Sequence, residues 1–262
     1  MNTLASRDSS ASAEPARRRL RILAGPNGSG KSTIKSELKP EWIGAFVNAD
    51  EMERELRTRG GQLNLGALGG SGDAAVVLNS IMRSLATSGL ERRLDLSALR
   101  DGMALDDNMT LQVPGLCDSY VAAALAEAVR HELLGAGQTF TFETVMSHPS
   151  KIEFMRKARA QGYRVYFYFV ATDDPDINID RVRRRVLQGG HPVDNCKVIE
   201  RYHKSIALMA QACEVAHRAY IFDNSGSRHK LLAEVTDFDT IRLAASRINP
   251  WLLGTDLWRA FS

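Results

Sequence analysis

The residues with the clearest chemistry are Gly25-Pro26-Asn27-Gly28-Ser29-Gly30-Lys31-Ser32. They fit GxxxxGK[ST], a spacing that wraps backbone N–H groups round phosphates, sends a lysine to the β/γ-phosphates and offers a hydroxyl to Mg²⁺. On this reading Gly25 to Thr33 bind a nucleotide, Lys31 is the catalytic cation and Ser32 ligates the metal. The loop does not choose between ATP and GTP.

Phosphoryl transfer needs charge stabilisation more than covalent chemistry, together with a group that orients or deprotonates the nucleophile. Asp50 has the right place for that group, after the short apolar run Ala45-Phe46-Val47 and Asn48. A strand there is expected to lie beside the P-loop strand. Asp50 then either accepts a proton from an acceptor hydroxyl or merely caps the helix that follows. Glu143 closes an apolar strand and needs a partner there. It suits Mg²⁺ held through water, a substrate hydroxyl or a structural ion pair. Arg181, Arg184 and Arg185 share one side of a helix by their spacing. Gly189-Gly190 follow at once, as in a mobile lid that carries guanidinium groups to phosphate. His191 is either a lid contact or an ordinary loop histidine.

The elements that must hold these residues alternate. Arg19–Ala24 reads as a buried strand entering the loop, and a helix from Thr33 gives the phosphates a helix N-terminus. Further strands are expected at Ala45–Val47, Thr139–Val145, Arg164–Ala171 and Ala219–Asp223. Helices are expected over Met52–Arg59, from Asp73 to about Leu90, Tyr120–Leu134, from a capping box at Ser150 to Gly162, over Ile177–Leu187 capped by Asp176, and from Asp194 to about His217. This pattern predicts an α/β fold, a doubly wound, mainly parallel sheet of about five strands with a P-loop. Ligands then bind beyond the carboxyl ends of the strands, where Asn48, Asp50, Glu143 to Ser147 and Asp223 to Ser225 lie. Residues 61–117 read as an insertion in a domain spanning 19–262. Its glycine-rich start, GGQLNLGALGGSG, suggests a flexible connection to an acceptor lid.

Composition narrows the class. With 44% hydrophobic and 25% charged residues the 262-residue chain reads as a soluble globular protein, and no apolar run approaches a membrane span. The net charge of +3 is mild, and no basic stripe with interleaved aromatics appears, which argues against a nucleic-acid partner. Cys117, Cys196 and Cys213 form no CxxC pair, so a reducing compartment, the cytoplasm, is expected. Residues 1–18 are Ser/Ala-rich and read as a disordered leader without a secretory signal.

In this order, GPNGSGKST, NADE, TFETVMS, RVRRRVLQGGHPV with a downstream ERYHKS, and FDNS resemble the zeta-toxin family of P-loop kinases. The resemblance implies transfer of the ATP γ-phosphate to a hydroxyl of a UDP-amino sugar, typically UDP-N-acetylglucosamine, and a small antitoxin protein as partner. It also implies that Asp50 is the base and that Glu143, Thr144 and Ser147 lie at the sugar-nucleotide site. Arg185 becomes the lid arginine, with His191 in place of a second lid cation. The segment between Asp50 and Glu143 is several dozen residues longer than the family pattern. Two alternatives stand beside this reading: a P-loop kinase for another hydroxyl acceptor, such as a nucleoside or an antibiotic, and a non-kinase ATPase switch.

Overall fold

The computed structural model describes residues 18–86, 95–115, 118–190 and 192–262. β1 (Arg19–Ala24) runs into the P-loop, which opens onto α1 (Lys31–Glu37). There follow α2 (Pro40–Ile43), β2 (Ala45–Val47) and α3 (Ala49–Thr58). The long segment after α3 contains β3 (Gln62–Asn64), α4 (Ala74–Ala86), α5 (Leu96–Gly102), β4 (Ala104–Leu105) and β5 (Thr110–Gln112). Alternation then resumes with α6 (Ser119–Gly135), β6 (Phe140–Thr144), α7 (Ser150–Ala160), β7 (Arg164–Ala171), α8 (Pro175–Leu187), α9 (Asn195–Val215) and β8 (Arg218–Asp223). The chain ends in β9 (Lys230–Thr236), β10 (Thr240–Leu243), α10 (Pro250–Leu253) and α11 (Asp256–Ala260).

The main sheet has the order β10-β9-β8-β7-β1-β6-β2. The five strands expected from the sequence are all present and mutually parallel. β9 and β10 extend the sheet in antiparallel fashion beyond β8. One expectation is corrected here. β2, which delivers Asp50, is not beside β1, because β6 lies between them. Glu143, not Asp50, therefore ends the strand next to the P-loop strand.

Alternation along the strands assigns the two faces. Leu20, Ile22, Phe140, Phe142, Phe167 and Phe169 are completely buried in a core shared with α3, α6, α7 and α9. Each such side chain contributes about 1.5–3 kcal/mol when fully buried. Leu23, Tyr168 and Val170 face the other way, against Ile34 of α1. Helices thus lie on both faces, and the carboxyl ends of the parallel strands point at the P-loop mouth. Among the described residues no helix is long and apolar enough to cross a membrane.

Helix starts depend on short polar side chains, though not always those expected. Asp118 and Asp194 cap α6 and α9, as their positions suggest. α8 is capped by Asp174 with Pro175 as its first residue, so Asp176 sits one residue inside. The Ser150–Glu153 capping box does not form. Pro149 takes the cap position without a side-chain bond, and Glu153 pairs with Arg156. Asp73 accepts from the Val76 N–H at the start of α4, and residues 87–94 beyond that helix lie outside the described residues.

The insertion does not resemble a loosely tethered lid. β3, β5 and β4 form a separate three-stranded antiparallel sheet, and Leu63, Ile81 and Leu111 are completely buried in the same core as the main sheet. Several of its glycines are packed against neighbours, while Gly72 and Gly115 stand in open space. A Cβ on Gly61 would lie 2.4 Å from the Val113 carbonyl oxygen, and one on Gly70 2.8 Å from that of Leu65. Of the expected leader, residues 1–17 lie outside the described residues, while the Arg18 carbonyl already accepts from Arg164 N–H at 2.8 Å.

Candidate active site

Gly25, Gly28 and Gly30 all have positive φ (143°, 75° and 95°), which L-side chains rarely adopt, and this lets the loop curl over the start of α1. Ser29 is fully buried at the centre of the curl. Ser32 and Thr33 are exposed in the first turn of α1, whose unpaired N–H groups and dipole attract anions. Lys31 is folded back into the loop. Its Nζ donates to the Gly25 and Pro26 carbonyls at 2.9 and 3.0 Å and lies 3.8 Å from Glu143 Oε1. Burial pushes the Lys31 ammonium below its ordinary pKa, and the Glu143 and Asp50 carboxylates offset part of that.

Glu143 is brought to Lys31 by the in-register pairing of β6 with β1, which sets Leu23 opposite Glu143. The Gly25 N–H donates to the Thr144 carbonyl at 3.3 Å, joining the P-loop to the segment that follows β6. In that segment Met146 is fully buried with φ 58°, and its N–H donates to Thr144 Oγ1 at 3.1 Å. This left-handed turn is strained for a methionine. Thr144 and Ser147 are both half-buried there.

Asp50 is not the cap of its helix. Asn48 Oδ1 accepts from the N–H groups of Asp50 and Glu51 at 2.8 and 3.3 Å, which leaves the Asp50 carboxylate available. Arg185 Nη1 of α8 lies 3.5 Å from Asp50 Oδ2. Arg181, one turn earlier, half-buries a guanidinium whose Nη2 donates to the Gly226 carbonyl at 3.4 Å and whose Nη1 is buried with no hydrogen-bond partner. Arg184 departs from the expected grouping and is exposed. His191 lies outside the described residues. A cavity of about 650 Å³ opens beside the loop, lined by Gly30, Thr33, Arg181, Asn224, Gly226 and His229.

Residues outside the expected set also touch the P-loop. Asn178 Nδ2 donates to the Asn27 carbonyl, Asn224 Nδ2 to that of Ser29, and Arg201 reaches Asn27 Oδ1 at 3.5 Å. Asn178 stands three residues before Arg181 and seven before Arg185. Extending the arginine face backward along the helix would have found it. Asn224 lies within the FDNS motif, though no spacing rule predicts its bond to the loop.

The site brings together a P-loop, a carboxylate at the adjacent strand end, a second carboxylate across the mouth and two arginines from one helix. A central five-stranded parallel sheet with this loop after its first strand is the fold of a P-loop kinase. Residues 119–231 match the zeta toxin family model, a match that runs from the start of α6 to the first two residues of β9 and excludes the P-loop itself. Over those residues the chain is similar to the zeta toxin family, and the residues before them supply the P-loop.

Among solved structures, the chain is similar to one from the PezAT chromosomal toxin–antitoxin system of Streptococcus pneumoniae, with a TM-score of 0.50 at 10% identity over 94% of this chain and 80% of that one. It is also similar to the AvrRxo1-ORF1:AvrRxo1-ORF2 complex with sulphate ions, at a TM-score of 0.49 and 12% identity over 88% of this chain. There it spans 62% of the other chain, less than two thirds of its length. A kinase-like protein of Chloroflexus aurantiacus gives a TM-score of 0.40 at 17% identity, over 72% of this chain and 78% of that one. No curated protein sequence matches significantly.

Proposed function

We propose that the protein transfers the γ-phosphate of ATP to a hydroxyl of a small acceptor. The acceptor class implied by the zeta-toxin resemblance is a UDP-amino sugar such as UDP-N-acetylglucosamine. The carrying observation is the convergence of Lys31, Glu143, Asp50 and Arg185 around the P-loop mouth. Lys31 leaves its two loop carbonyls for the β/γ-phosphates, a small movement for a flexible stem. Arg185 leaves Asp50 for the transferring phosphoryl group, joined by Arg181. Asp50, freed of its cation, takes the proton of the acceptor hydroxyl as that oxygen bonds to the γ-phosphorus and the bond to the bridging oxygen breaks, releasing ADP.

The donor set fits Mg²⁺. The Ser32 hydroxyl and the Glu143 carboxylate are hard oxygen ligands, and Glu143 Oε2 is buried with no hydrogen-bond partner. Ser32 and Glu143 would hold the ion, which supplies neutralisation of the triphosphate charge.

Thr144 and Ser147, next to Glu143, line the acceptor side in this reading. The insertion packs against α3 and α6 and serves there as a fixed wall that helps select the acceptor. The PezAT protein belongs to a toxin–antitoxin system by its description, and this supports a toxin whose partner is a small antitoxin. A cytoplasmic site of action follows from a cytoplasmic nucleotide acceptor.

The test is incubation with ATP, Mg²⁺ and a panel of sugar nucleotides, nucleosides and aminoglycosides, followed by mass spectrometry. A gain of one phosphate on a UDP-amino sugar is expected. Phosphate release from ATP without any modified acceptor would replace this reading with an ATPase switch.

A further inference from the structure

A loop that turns its N–H groups inward around an anion must turn carbonyl groups outward, and buried carbonyls need donors. Two carboxamides meet that need at two different carbonyls of this P-loop. Asn178 Nδ2 donates to the Asn27 carbonyl at 2.6 Å, and Asn224 Nδ2 donates to the Ser29 carbonyl at 2.7 Å. Both approaches use the absence of a side chain. A Cβ on Gly28 would lie 2.6 Å from the Asn178 backbone oxygen, and one on Gly30 2.0 Å from Asn224 Nδ2.

Asn178 is completely buried and held by more than this one bond. Its Oδ1 accepts from the hydroxyl of the equally buried Thr172, which fixes the amide so that its NH₂ end faces the loop. Thr172 is held in turn through its carbonyl, which accepts from the Tyr202 hydroxyl at 2.5 Å. α9, β7, α8 and the P-loop are thus linked through one polar chain.

We propose that Asn178 is a positioning residue for phosphoryl transfer, with Asn224 as its counterpart at the Ser29 carbonyl. It keeps the Asn27 peptide turned outward, so that the N–H groups of Gly28 to Lys31 stay converged on an anion. Because it stands on α8, it also fixes the register between the loop and Arg181 and Arg185. This rests on the phosphate-transfer reading given above.

The test uses the full chain and two ligands, ATP and inorganic tripolyphosphate; the latter reads the phosphate cradle without a base. Asn178→Asp keeps the volume and replaces the donor by an acceptor facing a carbonyl. Calorimetry should show tripolyphosphate affinity reduced by about tenfold or more, and kcat should fall along with it. Hydrogen exchange at the Gly28–Lys31 amides of the ligand-free protein should accelerate. A merely structural asparagine would lower the melting temperature and leave the affinity of the folded protein unchanged. Thr172→Val, which frees the amide to turn over, and Asn224→Asp should weaken tripolyphosphate in the same direction and decide the matter if Asn178→Asp does not fold. Wild-type affinity and exchange in folded Asn178→Asp, or in both other variants, overturn the inference alone. Failure of the wild-type chain to bind either ligand overturns the phosphate-site reading and the inference with it.

Discussion

Two groups of charges in this protein use the same residue types and are built in opposite ways. Between α6 and α7, Glu127 is gripped by Arg130 and Lys151 on one oxygen, with His131 Nε2 at 3.6 Å from the other. The Arg130 guanidinium also lies over the rings of Phe142 and Phe154, at 4.8 and 5.9 Å from their centroids. Burial works against the Glu127 charge, yet the His131 hydrogen bond and the two cations outweigh it and hold the carboxyl well below its ordinary range. At the P-loop the equivalent contacts are longer, 3.8 Å from Lys31 to Glu143 and 3.5 Å from Arg185 to Asp50. Glu143 Oε2 and Arg181 Nη1 are buried there without a partner. In the first group the carboxylate is fully paired and only Arg130 Nε is buried without a hydrogen-bond partner, over the Phe142 and Phe154 rings, so the group serves the scaffold. The second keeps bonding capacity that a triphosphate, a metal ion and an acceptor can take up.

The contrast can be broken most forcefully at Lys31. Lys31→Ala should lower ATP-dependent phosphorylation by about three orders of magnitude or more, with the melting temperature little changed. Near wild-type turnover by the purified, folded variant would sink the kinase mechanism. Asp50→Asn should cost about two to four orders of magnitude in kcat with ATP affinity close to wild type. Since Asn48 is the cap, unfolding free energy should scarcely move, and a loss confined to stability would return Asp50 to the scaffold.

Glu127→Gln should do the reverse, leaving kcat/KM per folded molecule unchanged while stability falls by about 3 kcal/mol, measured by urea unfolding. Its pH signature is also specific. A carboxyl whose folded pKa is depressed contributes stability above the unfolded value of 4.5 and loses it as pH falls through the folded value. The wild type should therefore lose stability as pH falls below about 4.5, and the Gln variant should show a shallower slope there. The smallest effect is expected for Asn48→Ala, about 1 kcal/mol of helix-cap stability with the acceptor KM near wild type. A raised KM would move Asn48 from capping to substrate binding.

What was legible in the sequence was what rests on local pattern. Arg19–Ala24, Arg164–Ala171 and Arg218–Asp223 announce themselves by apolar alternation, and GxxxxGK[ST] by spacing that few other roles require. Sheet order was not legible, because nothing within β2 or β6 states which of them neighbours β1; that is decided by the crossover through the insertion and α6. Local pattern alone does not separate two competing acids at a cap such as Asp174 and Asp176; Pro175, which suits only the first helical position, decides for Asp174. The insertion misled for a similar reason. Its glycines look like hinges in one dimension, but Gly61 and Gly70 serve close backbone approaches that appear only once the segment is folded against Val113 and Leu65. Asn178 is legible only as the backward extension of the arginine face, three residues before Arg181, because a lone polar residue on an amphipathic helix carries no periodic signal of its own.

The shared core of the insertion limits how this enzyme can be altered. A wall whose Leu63, Ile81 and Leu111 are sealed into the same apolar interior as the catalytic sheet is not an exchangeable cassette. Grafting the corresponding segment of a relative would expose that interior and unfold the host. On the proposed reading of this segment as an acceptor wall, change toward a new acceptor proceeds by single exposed side chains on its face, each tested against a backbone that stays where it is.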